Sequence, residues 1–240
     1  MKKVIAKDYD ELSSLAADRI AQYIRSHPDS LLCIAAGDTP IGTLQELVRL
    51  QQEGKVDLSA VYYAELDEWV GLGPDDTGSC HKVMFDAFYL PAGIPAERIH
   101  VFDGLDADTE RQCRRMETWI AQHGGIGLTL LGIGLNGHVG FNEPGAPDID
   151  GCFTVPLDDI TKKVSAKYFG RPFALKCGIT VGWKTLKQAR FMMILASGEN
   201  KADIVRRSFC GPMTANVPAS LMQDHPDQEL FLDAAAASKI

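Results

Sequence analysis

The feature of this chain that most limits its fold is the alternation of short apolar runs with amphipathic stretches. Four runs are compact enough to be strands buried on both faces, and they lie at residues 30–36, 60–66, 127–133 and 190–196. Helical patterns lie between them, from about Asp8 or Asp10 to Ser26, after Pro40, and from about Asp108 to His123. This order predicts an α/β fold with a doubly wound, mainly parallel sheet and helices on both faces. Residues 1–240 are expected to form a single domain. In such folds ligands bind in the loops at the carboxyl ends of the strands.

Composition and charge narrow the classes of function. The formal net charge of -8 disfavours nucleic acid as a partner, because binding to a phosphate backbone relies on clustered Lys and Arg. No stretch approaches the roughly 18 apolar residues of a membrane span, so no membrane partner is expected. The six cysteines lie far apart, and the first residues turn polar too early for a signal peptide. We therefore expect reduced thiols and a cytoplasmic protein; the sequence leaves a homo-oligomer open.

The first loop that follows a predicted strand contains Gly37, Asp38 and Thr39. A glycine there lets backbone N–H groups approach a ligand, and the start of a helix adds partial positive charge. Phosphate binding is one interpretation. A plain turn, with Thr39 as the helix N-cap and Pro40 at the first helical position, is the other, and the two are compatible.

The second loop brings together the carboxylates of Glu65, Asp67 and Glu68 at the end of an apolar strand. Adjacent carboxylates at a strand end are candidate general bases. In simple alternation Leu66 and Glu68 share one face, while Glu65 and Asp67 share the other. The alternative is a solvated turn in which Glu65 or Glu68 is surface charge.

The third loop, residues 131–145, carries five glycines and the strongest functional pattern in the chain. His138 titrates near neutrality and can both donate and accept protons. Glu143 could orient its imidazole and support the charged form, and the amide of Asn136 could hold the geometry. A metal site is not expected, because His138 and Glu143 lack a second histidine at ligand spacing.

At these loops the sequence resembles the glucosamine-6-phosphate deaminase family, which is grouped with the 6-phosphogluconolactonases in one superfamily. L-D-E-W-V-G-L at 66–72 is similar to that family's D-E-Y/W-V-G-L stretch. G-I-G-L-N-G-H-V-G-F-N-E-P-G at 132–145 is similar to its G-x-G-x-[DN]-G-H-I-x-F-N-E-P signature; the lactonases share G-H without F-N-E-P. Weaker similarity continues at 178–182, 197–202 and 217–226, so the resemblance covers nearly the whole chain.

The resemblance implies an enzyme that converts an amino-sugar 6-phosphate to the ketose 6-phosphate and ammonia without a cofactor. Asp67 would be the base that moves a proton from C2 to C1, and His138 would open the pyranose ring. Asn136 and Glu143 would flank and tune the histidine. Asn136 stands where many members have Asp, so His138 would rely more on Glu143.

The same resemblance assigns the sugar phosphate to the first loop and to two lysines. Gly37, Asp38 and Thr39 would offer backbone and hydroxyl donors, and Lys167 and Lys201 would neutralise the phosphate. Two of these positions depart from the family pattern. Asp38 stands where Gly, Ser or Ala is usual and would repel the phosphate, and Lys167 stands where Arg is usual, which removes a bidentate contact.

Two other functions and one question of substrate remain open at the level of sequence. A lactonase of the same superfamily would use the histidine to activate water and would need no base over C2. A non-catalytic sugar-phosphate sensor would lack turnover altogether. The motifs E-L-D-E-W at 65–69 and G-R-P at 170–172 are more similar to the branch of the family that acts on galactosamine 6-phosphate. This similarity bears only on the choice of substrate.

Overall fold

The computed structural model describes residues 1–169 and 175–240, and G-R-P at 170–172 lies outside the described residues. The strands are β1 Lys2–Ala6, β2 Leu31–Ile34, β3 Tyr62–Glu65, β4 Asp67–Trp69, β5 Ile99–His100, β6 Ile126–Gly132, β7 Cys152–Pro156, β8 Cys177–Val181, β9 Phe191–Ala196 and β10 Gln228–Asp233. The α-helices are α1 Tyr9–Ser26, α2 Asp38–Gln52, α3 Cys80–Met84, α4 Thr109–Gln122, α5 Asp159–Ser165, α6 Trp183–Lys187 and α7 Ala202–Cys210.

Seven parallel strands form the main sheet in the order β1-β10-β9-β6-β2-β3-β5. Helices α1 and α2 pack their apolar sides on one face, and α4 and α7 pack on the other. The central strand β2 is buried along its whole length, as expected for a strand covered on both faces. The predicted doubly wound, mainly parallel α/β fold is therefore confirmed.

The four apolar runs correspond to β2, β3, β6 and β9; β2, β3 and β9 are shorter than the predicted runs, and β6 is displaced by one residue. One detail of the first loop was wrong. Helix α2 begins at Asp38 and its N-cap is Gly37, so Thr39 is not the cap and Pro40 is not the first helical residue. Gly37 has φ 120°, a backbone conformation that glycine adopts readily and other residues do not.

A second, antiparallel sheet in the order β4-β8-β7 was not predicted from the sequence. The chain leaves the main sheet after β3, and Leu66 is the single residue before β4 begins in the small sheet. Simple alternation across Glu65–Glu68 therefore does not apply. Within residues 1–169 and 175–240, no helix combines the length and the apolar character needed to cross a membrane.

Candidate active site

A cavity of about 400 Å³ lies at the carboxyl ends of the central strands. Strands β2 and β6 are neighbours in the sheet; from β2 the chain continues to β3 on one side, and from β6 it reaches β9 on the other. Loops after such a pair diverge and leave a crevice, which is the usual ligand site of doubly wound sheets. The three loops singled out in the sequence meet there, and the cavity lining includes Gly37, Asp38, Thr39, Asp67, His138, Lys167 and Lys201.

Asp67 lines one end of the cavity, and two further buried carboxyl groups lie close to it in the chain. Asp67 is 8% exposed, and burial together with the charges of Glu68 and Glu143 raises its pKa to about 8. Glu68 is 1% exposed and burial raises its pKa to about 7, although three backbone N–H groups donate to its carboxylate. Burial likewise raises the pKa of Glu65, whose Oε2 accepts the Phe102 N–H at 2.8 Å. A solvated turn is thus ruled out for this loop.

The small sheet fixes Asp67 at the cavity wall. Asp67 pairs with Thr180 of β8, and Trp69 pairs with Gly178 two positions along. The Phe141 ring lies against Gly178, where an added Cβ would come within 2.2 Å of it, and the rings of Trp69 and Phe141 lie 4.4 Å apart. These contacts hold β4 against the histidine loop.

His138 faces the cavity from a tight turn after β6. The Gly134 N–H donates to the His138 carbonyl at 2.9 Å, and the Gly137 N–H donates to the Gly134 carbonyl at 3.0 Å. The imidazole lies directly over Gly134: a Cβ at that position would be 2.3 Å from Nε2. Only a residue without a side chain leaves room for the ring there.

The Nδ1 edge of His138 meets a polar cluster of three side chains. Nδ1 lies 3.1 Å from Thr161 Oγ1 and 3.3 Å from Glu143 Oε2. The Asn136 amide donates to Glu143 Oε2 at 2.7 Å, while its Oδ1 accepts the His138 N–H at 3.1 Å. With Nδ1 engaged in this way, Nε2 is the nitrogen left for a ligand.

Glu143 is ionised within this cluster. Burial opposes its charge, but hydrogen bonds to His138, Thr161 and Asn136 and the charge of His138 outweigh it and hold the pKa of Glu143 below its usual value. The Glu143 carboxylate and the Thr161 hydroxyl occupy Nδ1 of His138, so Nε2 is the nitrogen that can exchange a proton with a ligand.

Asn142 of the F-N-E-P run has a structural task. Its amide donates to the carbonyls of Val139 and Val181 at 2.8 and 3.0 Å, and its Oδ1 accepts the Trp183 N–H at 2.7 Å. Asn142 is fully buried and thereby ties the histidine loop to β8 and α6. This tie lies next to Glu143 and helps to set its position.

Cationic groups form the other end of the cavity. Burial lowers the pKa of the Lys201 ammonium to about 8, with a contribution from the charge of Lys167, and Nζ donates to the Ile133 carbonyl at 2.5 Å. Gly37 opens this end, because a Cβ there would meet no atom within 4 Å. Lys167 forms an ion pair with the Asp38 carboxylate, and this hydrogen bond raises the pKa of Lys167.

Two residues that line the cavity were not singled out in the sequence. Thr161, on α5, contacts His138, and Tyr168, in a 3₁₀ turn after α5, donates its hydroxyl to Asp38 Oδ2 at 3.1 Å. Neither carried a local signal: a Thr inside a helix and a Tyr beside a Lys are common surface patterns. Within the described part of the chain, no group of three or more His, Cys, Asp and Glu side chains could hold a metal ion.

Comparison with known proteins gives a consistent result. The sequence model of the family described as glucosamine-6-phosphate isomerases/6-phosphogluconolactonase matches residues 6–232. The glucosamine-6-phosphate deaminase of Thermoanaerobacter pseudethanolicus is 36% identical over 241 residues, which cover 100% of this chain and 95% of the relative. That of Halothermothrix orenii is 39% identical over 239 residues, which cover 99% of each chain.

Solved structures are similar over the same extent. A monomeric glucosamine-6-phosphate deaminase superposes with a TM-score of 0.95 at 35% identity and covers 100% of both chains. The 6-phosphogluconolactonase from Thermotoga maritima superposes with a TM-score of 0.79 at 16% identity, over 97% of this chain and 99% of the other. The second likeness concerns the fold alone.

Proposed function

Because the chain belongs to the family of glucosamine-6-phosphate isomerases and 6-phosphogluconolactonases, we propose that it is an amino-sugar-6-phosphate deaminase. It converts glucosamine 6-phosphate and water to the ketose 6-phosphate and ammonia. The observation that carries this proposal is the placement of the Asp67 carboxyl and the His138 imidazole on one cavity whose far end holds Lys201. The whole chain, residues 1–240, acts as one domain in this reaction.

His138 opens the sugar ring in the first step. Nε2 takes the proton of the C1 hydroxyl and delivers it to the ring oxygen, so that the bond between C1 and the ring oxygen breaks and the open-chain aldehyde forms. Glu143 Oε2, 3.3 Å from Nδ1, orients the imidazole for this transfer. Asn136 and Thr161 hold Glu143 and the imidazole in position through their hydrogen bonds. General acid–base catalysis of this kind typically raises the reaction rate 10²–10⁴-fold.

Asp67 carries out the second step. Its carboxylate removes the proton from C2, next to the exposed carbonyl, and returns it to C1, while one proton passes from the amine to the C1 oxygen, so that a C=N bond forms at C2. Water then adds at C2, and the nitrogen leaves as ammonia. The C1 carbonyl takes up the electron pair from C2, so an electron-sink cofactor is unnecessary.

The phosphate is held at the cationic end. Lys201 and Lys167 supply charge, and Gly37, Asp38 and Thr39 supply backbone N–H groups at the start of α2, where the helix dipole favours an anion. Glucosamine 6-phosphate is proposed as the substrate because both named relatives are glucosamine-6-phosphate deaminases. The enzyme acts in the cytoplasm on a soluble metabolite.

Ammonia release in deuterium oxide tests the proposal. Glucosamine 6-phosphate, galactosamine 6-phosphate and 6-phosphogluconolactone are each offered to the wild-type protein and to Asp67→Asn. We expect ammonia with the first substrate, and solvent deuterium at C1 of the ketose in those turnovers in which the Asp67 carboxyl exchanges its proton before returning it. Asp67→Asn should lose both with substrate binding retained. Hydrolysis of the lactone without ammonia from either amino sugar would instead identify a lactonase.

A further inference from the structure

The cationic end of the cavity already contains an anion, the side chain of Asp38. Its carboxylate pairs with Lys167 Nζ and accepts the Tyr168 hydroxyl at 3.1 Å. Asp38 is the first residue of α2, whereas Lys167 and Tyr168 belong to the turn Ala166–Tyr168 that follows α5. The carboxylate therefore joins two walls of the cavity that are 129 residues apart in the chain.

The backbone of Asp38 is fixed, so its side chain stays at this end of the cavity. The Tyr9 hydroxyl lies 2.9 Å from the Asp38 carbonyl oxygen and 3.1 Å from that of Thr39, and it accepts the Gly42 N–H at 2.8 Å. Rotation of the Asp38 side chain, with its backbone in place, is the available way to free Lys167. The side chains of Asp38 and Lys167 are 63% and 54% exposed, so rotation into solvent meets little resistance.

We propose that Asp38 is a specificity residue that competes with the substrate phosphate for Lys167. In the free protein the carboxylate occupies Lys167 and holds the turn Ala166–Tyr168 against α2. A phosphate that enters displaces the carboxylate and takes over the lysine. This inference rests on the proposed function, because it needs the phosphate to bind at this end of the cavity.

Charge arithmetic gives the direction of the effect. Lys167, Lys201 and Asp38 together carry about +1, and a phosphate monoester carries about -1.5 to -2 at pH 7. The occupied site is therefore left with a net charge near -1. Neutralising Asp38 would bring it to about 0 and would also leave Lys167 free before binding. Both effects favour the phosphorylated ligand.

The test is a calorimetric titration of Asp67→Asn, which should bind the substrate without turning it over, with and without the additional substitution Asp38→Asn, which keeps the shape of the side chain. We expect the added Asp38→Asn to tighten binding of inorganic phosphate and glucosamine 6-phosphate about tenfold, which corresponds to about 1.4 kcal/mol. Unphosphorylated glucosamine should bind both proteins equally. Asp38→Ser is the second variant, should the first fail to fold. Unchanged affinity for both phosphorylated ligands would overturn the proposal.

A second pair of variants separates competition from simple repulsion. If Asp38 acts through Lys167, Asp38→Asn tightens binding by a smaller factor when Lys167→Met is also present. An equal factor in the two backgrounds would mean that Asp38 only repels the ligand, and would refute the competition.

Lys201→Met distinguishes failure of this inference from failure of the proposed function. It should weaken binding of both phosphorylated ligands if the phosphate binds at this end. If Lys201→Met leaves the affinity for phosphorylated ligands unchanged, the proposed phosphate site and the competition are both refuted. If Lys201→Met weakens binding while Asp38→Asn has no effect, only the competition is refuted.

Discussion

Glu68 offers a way to shift the pH dependence of the proposed base without touching the substrate. Its carboxylate is 1% exposed and accepts the N–H groups of Trp69, Cys80 and His81 at 2.7, 3.0 and 2.8 Å. After burial, its charge is the largest cause of the raised pKa of Asp67. Glu68→Gln removes that charge and nearly preserves the shape.

The magnitude follows from the two pKa values. With a pKa of about 8, Asp67 is ionised in about one molecule in ten at pH 7. Glu68, with a pKa of about 7, is itself charged in part, so its removal lowers the pKa of Asp67. More than one molecule in ten then carries the carboxylate at pH 7. We expect kcat/KM to rise at pH 7, by about tenfold at most, and to stay unchanged above about pH 9.

The assay is ammonia release from glucosamine 6-phosphate between pH 5.5 and 9.5. The amine and the phosphate of the substrate titrate in the same range, so the measured quantity is the ratio of the two pH profiles, from which these ionisations cancel. Glu117→Gln is the matched control, because it removes a carboxylate that accepts the Cys152 N–H at 2.7 Å and is not among the causes of the Asp67 pKa. Thermal unfolding of Glu68→Gln measures the loss of stability, about 1–3 kcal/mol, that is expected because the glutamine accepts fewer backbone hydrogen bonds than the carboxylate. If folded Glu68→Gln has the wild-type profile, Asp67 is not the group whose ionisation limits the reaction.

Three further substitutions test the geometry. Asp67→Asn should have a free energy of urea unfolding about 2 kcal/mol or more above that of the wild type at pH values above 8. Because the pKa of Asp67 is raised in the folded state, the stability that it contributes below about pH 4 is lost as the pH rises through about 8, whereas an amide does not titrate. Equal stability of the two proteins at pH 9 would contradict the argument from burial. Thr161→Val should lower kcat about tenfold with little change in KM and move the pH profile, since it removes the hydroxyl 3.1 Å from His138 Nδ1, and Thr161→Ser should restore both. Gly134→Ala should lower kcat by about 100-fold, because the added Cβ would displace the imidazole of His138. Gly132→Ala is the control, because its Cβ would meet no atom within 4 Å and should leave the imidazole in place. The two variants are compared by kcat and by the NMR resonances of the His138 imidazole.

The main sheet and the meeting of the three loops were predictable because they follow from local patterns. Apolar runs of strand length marked β2, β3, β6 and β9, and the carboxyl ends of parallel strands lie at one edge of a sheet. Loops that follow nearby strands therefore converge, and only β2 lies between β3, which precedes Asp67, and β6, which precedes His138. This is why Asp67 and His138, 71 positions apart in the sequence, line one cavity.

The electrostatics of the site could not be predicted in the same way, because distant segments create them. The sequence allowed Glu65 or Glu68 to be surface charge, but both are buried and bind backbone N–H groups far along the chain: Glu65 that of Phe102, and Glu68 those of Cys80 and His81. The Asp38–Lys167 pair likewise depends on how α5 and its following turn fold back over α2. Spacing in the sequence carries no record of either contact.

The cavity is lined by groups of opposite charge, and their burial bears on how a substrate lies in it. Asp67 lines the cavity, and burial and the charge of the neighbouring Glu68 make its ionisation costly unless a cation arrives. Lys201 presents the complementary case, because burial and Lys167 make its charge costly unless an anion arrives. An amino-sugar 6-phosphate carries an ammonium at C2 and a phosphate at C6, so one orientation relieves both ends and the reverse orientation relieves neither. That orientation places C2 beside Asp67, which is what proton transfer from C2 requires.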